Sequence, residues 1–139
     1  MKDDKLEKLL EELQRKIEYE EEKVFSGVVI NEYRNPSNFG VIEKPDAIGE
    51  VKGQCGDTMK ITLNVKHGKI LNACFWTDGC GATIACGSML TKMIIGKTIK
   101  ETVKITEEQL TNALDGLPKE HLHCSKLAVK TLKKAFRNL

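Results

Sequence analysis

The feature that most narrows what this chain can fold into is a pair of nine-residue alternating runs on either side of a two-residue turn. In Thr58 to Lys66 the apolar Met59, Ile61, Leu63 and Val65 alternate with Thr58, Lys60, Thr62, Asn64 and Lys66, the period of a strand with one buried face. His67-Gly68 reads as the hairpin turn, and Lys69 to Thr77 returns with Leu71, Ala73 and Phe75 on one face. Ile48 to Val51 supplies a third strand, which predicts a three-stranded antiparallel meander. Everything past Cys80 reads helical. Ala82 to Ile95 closes at Gly96, and Thr98-Ile99-Lys100-Glu101 and Thr106-Glu107-Glu108-Gln109 are capping boxes opening two short helices. Asp115-Gly116-Leu117-Pro118 breaks the second, and a last helix runs from about Lys119 to Arg137. Strands first and helices afterwards predict an α+β domain with the helices packed on one face of the sheet.

Ahead of this domain, residues 1–23 form a separate segment. Leu6, Leu9, Leu10, Leu13 and Ile17 fall on one helix face, and six basic and nine acidic residues fill the others. Two readings stay open for this helical extension: its stripe packs on its own domain, or it is a surface for self-association into a homodimer or for docking a partner. Phe25 to Tyr33 predicts a second short helix, and Asn35-Pro36-Ser37-Asn38-Phe39-Gly40 a break before the strands. The expected division is therefore an extension over 1–23 and one domain over 24–139.

Charge says little about partners. The 22 basic and 20 acidic residues are interspersed for a net of +2, with no basic block to suggest nucleic acid. No apolar run approaches the ~20 residues of a membrane span, and the charged first thirty residues hold no signal-peptide core, so a cytoplasmic protein is expected. Five cysteines, an odd number in a reducing compartment, read as free, catalytic or metal-bound rather than as a disulfide framework.

Chemistry concentrates in Asp78-Gly79-Cys80-Gly81-Ala82-Thr83, where a strand ends in glycines and a helix begins. Bare glycines on both sides leave the Cys80 sulfur approachable, and the positive end of a helix dipole favours thiolate chemistry there. Cys55 and Asp57 lie in the connection into the second strand, at the same end of the hairpin as the exit of the third. His123-Cys124 opens the last helix and can be brought in by its docking. The spacing, 22 residues from Asp57 to Cys80 and 42 more to His123, matches no zinc finger. The mixed thiolate, carboxylate and imidazole donors suit zinc or iron, with unrelated structural or redox cysteines as the alternative. Cys74 reads as a part-exposed bystander, Cys86 as a packing residue, His67 as a turn residue, and His121 as facing solvent or lying behind the site.

Taken in order, Tyr33-Arg34-Asn35-Pro36, Ile48-Gly49-Glu50-Val51, Cys55-Gly56-Asp57, Thr77 with Gly79-Cys80-Gly81, Ile84-Ala85, Gly96-Lys97, and Leu117-Pro118 followed by His123-Cys124-Ser125 resemble the iron-sulfur cluster assembly scaffold family, IscU and the amino-terminal domain of NifU. The resemblance covers the chain from about Phe25 to the end. It implies a non-enzymatic scaffold on which a labile [2Fe-2S] cluster is built from iron and from sulfur delivered by a PLP-dependent cysteine desulfurase, then passed to apo iron-sulfur proteins. By motif position Cys55, Cys80 and Cys124 are the thiolate ligands, Asp57 the acidic residue linked to cluster lability or ligation, His123 an alternative ligand, and Cys124 also the persulfide acceptor. Zinc commonly fills such a site in isolated members.

Some residues depart from the family pattern. Its chaperone-recognition segment, Leu-Pro-Pro-Val-Lys, stands here as Leu117-Pro118-Lys119-Glu120-His121, which argues against a dedicated Hsp70-type chaperone. A serine common at the position of Cys86 is absent, and residues 1–23 are an addition. The alternative function is a zinc-dependent sulfurtransferase, against which His123 speaks, because that subgroup lacks a histidine before the last cysteine.

Overall fold

The computed structural model describes residues 2–139. Its elements run α1 (Lys2–Val24), α2 (Gly27–Arg34), β1 (Ala47–Lys52), β2 (Thr58–Lys66), β3 (Lys69–Thr77), α3 (Gly81–Ile94), α4 (Ile99–Thr102), α5 (Glu107–Ala113), a 3₁₀ turn (Lys119–His121) and α6 (Leu122–Arg137). The sheet is antiparallel in the order β1-β2-β3. Its hairpin closes through positive φ at both His67 (54°) and Gly68 (74°), the type I′ signature whose twist suits a two-residue connection.

One face of the sheet is apolar. Met59, Ile61, Leu63, Ala73 and Phe75 are fully buried beneath Ala85, Cys86, Leu90 and Ile94 of α3 and Leu127, Ala128, Leu132 and Ala135 of α6. Each large side chain removed from water in this way contributes about 1.5–3 kcal/mol. α6 approaches β1 so closely because residue 49 is glycine: a Cβ there would sit 2.5 Å from the Ala135 backbone N and closer still to the Thr131 carbonyl. The helix also reaches over the strand's outer edge, where Lys134 Nζ donates to the Glu50 carbonyl at 3.0 Å and Asn138 Nδ2 to that of Ile48 at 2.7 Å. Across the sheet, a strap before β1 hydrogen-bonds to β3 through Gly40 N–H to Phe75 O (2.7 Å) and Phe75 N–H to Asn38 O (3.0 Å).

α2 is fixed to α3 by a buried charge. Glu32, 4% exposed, accepts from Ser88 Oγ at 2.7 Å and from Lys92 Nζ at 2.5 Å, so its carboxylate leaves water only with both partners in place.

Three details depart from the sequence pattern. Leu71 is the extra residue of a β-bulge, Asn64 pairing with Asn72 and Val65 with Ile70, so the phase flips and Ile70 is buried while Leu71 is exposed. Thr62 is completely buried on the sheet's other face, its hydroxyl accepting from the Ile42 N–H at 3.1 Å, because the loop before β1 covers that spot. The reciprocal capping box forms at Thr106 and Gln109, whereas at Thr98 the hydroxyl accepts from the Glu101 N–H without a return bond from the Glu101 side chain.

Of the two readings for the amino-terminal helix, packing on its own domain is not what the fold does. Leu6, Leu9, Leu10, Leu13 and Ile17 are 49–58% exposed, and α1 is held near its end by Glu21 pairing with Arg34 of α2. Among the described residues no helix is long and apolar enough to cross a membrane.

Candidate metal centre

The end of the hairpin gathers the cysteines, as strand pairing requires. Thr58 N–H donates to Asp78 Oδ1 at 2.8 Å, and Thr77 Oγ1 donates to the Thr58 carbonyl at 2.7 Å, tying the entry of β2 to the exit of β3. The turn before β2 closes with Gly53 N–H on Asp57 O (2.7 Å) and holds Gly56 at φ 91°, presenting Cys55 to solvent above a half-buried Asp57. Cys55 Sγ lies 3.5 Å from Asp57 Oδ2.

Two helix starts converge on this turn. Cys80 is the N-cap of α3 with Thr83 three residues on, and His121 is the N-cap of α6 with Cys124 three residues on. Neither N-cap side chain caps its own helix, so unpaired N–H groups and two positive dipole ends remain around one point, favourable to anionic ligands. Thr83, fully buried, stands at the junction: its Oγ1 lies 3.4 Å from Cys124 Sγ, 3.5 Å from Asp57 Oδ2 and 3.7 Å from Cys80 Sγ. A hydroxyl has one proton, and 3.5 Å is long for an O–H···O bond but ordinary for sulfur, so it goes to Cys124. His123 Nε2 is 3.6 Å from the same sulfur.

Among the described residues, the ligand atoms that lie within 4.8 Å of one another belong to Cys80, His121 and Cys124. Cys55 and Asp57 flank that trio on one side, and His123 adjoins Cys124. Of the five residues expected from sequence, Cys80 and Cys124 fall in that trio, while Cys55, Asp57 and His123 border it through the contacts just given; Thr83 and His121 are additions. The signals that could have pointed to them are Thr83's place three residues after a helix-start cysteine and the i, i+3 spacing of His121 and Cys124. His121 is half-buried rather than solvent-facing, with its Nδ1 enclosed and without a hydrogen-bond partner.

The cysteines differ in availability. Cys55 and Cys80 are exposed. Cys124 is covered, and burial pushes its thiol up to about 11; the Thr83 hydroxyl pulls the other way, and the neighbouring Cys80 and Cys55 add to the rise. Cys86 is sealed in the core, its thiol held well above the ordinary range by burial, and it serves as packing. Cys74 is half-buried on β3, outside the cluster.

The glycines around Cys80 answer to the protein's own atoms. A Cβ at Gly79 would come within 2.8 Å of both Asp57 Oδ2 and Thr83 Oγ1, and one at Gly81 within 3.1 Å of the Tyr33 ring. They let Asp57, Thr83 and Tyr33 close around the helix start.

Fold and site together define an α+β domain that offers three cysteine sulfurs, a carboxylate and two imidazoles between paired helix N-termini. Residues 24–139 match the family described as the NifU-like N terminal domain, and the chain belongs to that family. It is 45% identical over 114 residues to the iron-sulfur cluster assembly scaffold protein IscU 1 of Archaeoglobus fulgidus, covering 81% of this chain and 74% of the relative. It is 38% identical over 117 residues to the nitrogen fixation protein NifU of Azotobacter chroococcum, covering 82% of this chain but 38% of that longer protein. A solved NifU-like amino-terminal structure from Brucella abortus shares the fold with a TM-score of 0.63 at 17% identity, over 81% of this chain and 92% of that one.

Proposed function

We propose that this protein is a scaffold for iron-sulfur cluster assembly, holding a labile [2Fe-2S] cluster on Cys55, Cys80, Cys124 and Asp57, with His123 beside Cys124. The observation that carries the reading is the meeting of Cys80, Cys124 and Asp57 at Thr83, with Cys55 against Asp57, at two helix N-termini. Thiolates hold iron firmly, whereas a carboxylate in place of a fourth cysteine is a harder donor that suits a soft cluster less well. Such a site favours loading and also release. Zinc fits the same donors and would compete for them in the isolated protein.

Sulfur comes from a PLP-dependent cysteine desulfurase, and recipients are apo iron-sulfur proteins. Cys124, the persulfide acceptor by motif position, is covered, so sulfur reaches it through the exposed Cys80. The Cys124 sulfur attacks the outer sulfur of a Cys80 persulfide, a new S–S bond forms on Cys124, and Cys80 leaves as a thiolate that takes up the proton Cys124 released. Recognition by a dedicated Hsp70-type chaperone is disfavoured, since Lys119-Glu120-His121 stands in place of the last three residues of its recognition segment. Five free cysteines fit a reducing cytoplasm.

The exposed stripe of α1 suits a second copy of the chain. Leu6, Leu10, Leu13, Ile17 and Val24 occupy a and d positions of a heptad, interrupted by Glu20. A parallel pair sets Lys16 against the other copy's Glu21, whereas an antiparallel pair opposes lysine to lysine and glutamate to glutamate.

Anaerobic reconstitution with iron, cysteine and a desulfurase tests the scaffold reading. A visible cluster that then transfers to an apo-ferredoxin supports it. Persulfide turnover with no cluster would replace it with a zinc-dependent sulfurtransferase.

A further inference from the structure

We propose that His121 is a metal ligand, completing with Cys80 and Cys124 a site for a single divalent ion, iron(II) or zinc(II), at the junction of α3 and α6. The inference rests on the scaffold reading and adds to it the residue that receives the first metal.

Three observations carry it. A ring nitrogen of His121 lies within 4.8 Å of both the Cys80 and Cys124 sulfurs, which lie within the same distance of each other. Ligands bonded to one zinc at about 2.0–2.3 Å sit roughly 3.3–3.8 Å apart, so closure on an ion needs shifts of about 1 Å. The Nδ1 of His121 is enclosed without a hydrogen-bond partner, an unfavourable arrangement unless some other group satisfies it. Metal binding offers two ways out: the ion takes Nδ1, or it takes Nε2 and the ring turns. Thirdly, the ring is positioned by packing. Phe25 lies 5.1 Å from it and the His123 ring 6.3 Å away at 30°, holding the imidazole at the helix start beside the sulfurs.

Balance is simple. Two thiols lose their protons, the imidazole gives a lone pair, and a divalent ion gains two thiolates and one neutral nitrogen with a fourth position left for water or Asp57. Nothing is oxidised or reduced. Two soft sulfurs and an imidazole select iron(II) or zinc(II) over magnesium or calcium, which want oxygen. In the segment this stretch resembles, lysine stands where His121 is. A lysine at that place offers an ammonium, whereas this chain offers a ligand.

The test uses the full-length protein, zinc(II) as probe, a chromophoric chelator as competitor, and X-ray absorption at the zinc edge to count imidazoles. His121→Ala is expected to weaken zinc binding by at least about tenfold and to remove one imidazole from the coordination shell. His121→Cys is expected to restore affinity with three sulfurs, a rescue that ring packing against Phe25 would not give. Thermal melts confirm that each variant is folded, and His121→Gln takes the place of the alanine variant if that one is not. The proposal is overturned if His121→Ala keeps wild-type affinity and imidazole count, or if the imidazole is lost in His123→Ala instead. Either result with clusters still assembling leaves the scaffold reading standing. If Cys80→Ser and Cys124→Ser also keep wild-type binding, the scaffold site itself is wrong.

Discussion

Gly49→Ala puts the link between packing and chemistry to a direct test. The added Cβ would sit 2.5 Å from the Ala135 N and 3.0 Å from its Cα, with the Thr131 carbonyl closer still, and all three belong to the backbone of α6. No side chain can swing aside. Ordinary contact lies near 3.5 Å, so α6 must retreat from β1 by roughly 1 Å. Overpacking of this kind costs about 1–3 kcal/mol, and the retreat also stretches the Lys134 and Asn138 bonds to the strand. Taking about 3 kcal/mol in total, a domain of this size should lose roughly 10 °C in melting temperature. Because α6 also carries His123 and Cys124, with His121 at its start, the retreat adds to the shifts that closure on an ion already needs, and zinc affinity should fall as well. Differential scanning calorimetry and zinc competition measure the two effects. Gly27→Ala is the control: nothing lies within 4 Å of its Cβ, and stability should hold or rise by about 0.4–1 kcal/mol. A Gly49→Ala protein melting within about 2 °C of wild type would refute the close-packing argument.

Asp57→Ala should lengthen the life of a reconstituted cluster and slow its transfer, by removing the oxygen donor that opens a way out; faster absorbance decay in the variant would make Asp57 chiefly a stabilising ligand. The Cys124 thiol, raised to about 11 when folded against about 8.5 unfolded, contributes stability that is complete below about pH 8.5 and lost as pH rises through 11. Melting temperature should therefore fall in that window, and Cys124→Ala should flatten the fall. At pH 7.5 the covered Cys124 stays a thiol, so iodoacetamide followed by mass spectrometry should label the exposed Cys55 and Cys80 first. Removing residues 1–23 should leave a folded, metal-binding domain, and Leu10→Glu with Leu13→Glu in the full chain should turn a dimer into a monomer by sedimentation; loss of metal on truncation would make α1 part of the domain.

Local signals were readable wherever neighbours in sequence decide the outcome. His67-Gly68 specified its own hairpin, and that hairpin placed Cys55, Asp57 and Cys80 at one end with no tertiary information. What stayed hidden depended on distant segments. Leu71 looked like a core residue because alternation was assumed unbroken, and one bulged residue inverted it. Thr62 looked solvent-facing because the loop that supplies the Ile42 N–H is remote in sequence. His121 was passed over because its value comes from Cys80 on a different helix and Phe25 nearly a hundred residues away. Only the docking of α6 on α3 shows that the two N-cap residues share one point.

The hydrogen bonds along the outer sides of β1 and β3 bear on how this protein behaves when crowded. A three-stranded sheet has two borders, and each is a template on which a stray chain could add a strand. Here the border of β1 spends the carbonyls of Ile48 and Glu50 on Asn138 and Lys134, and that of β3 gives Phe75 to the 38–40 strap and Ile70 to Lys97 and Gly96. Sheet-to-sheet aggregation is thus blocked at both margins by groups of the same chain. A scaffold with both borders closed and two exposed cysteines can stand without a bound metal and not polymerise.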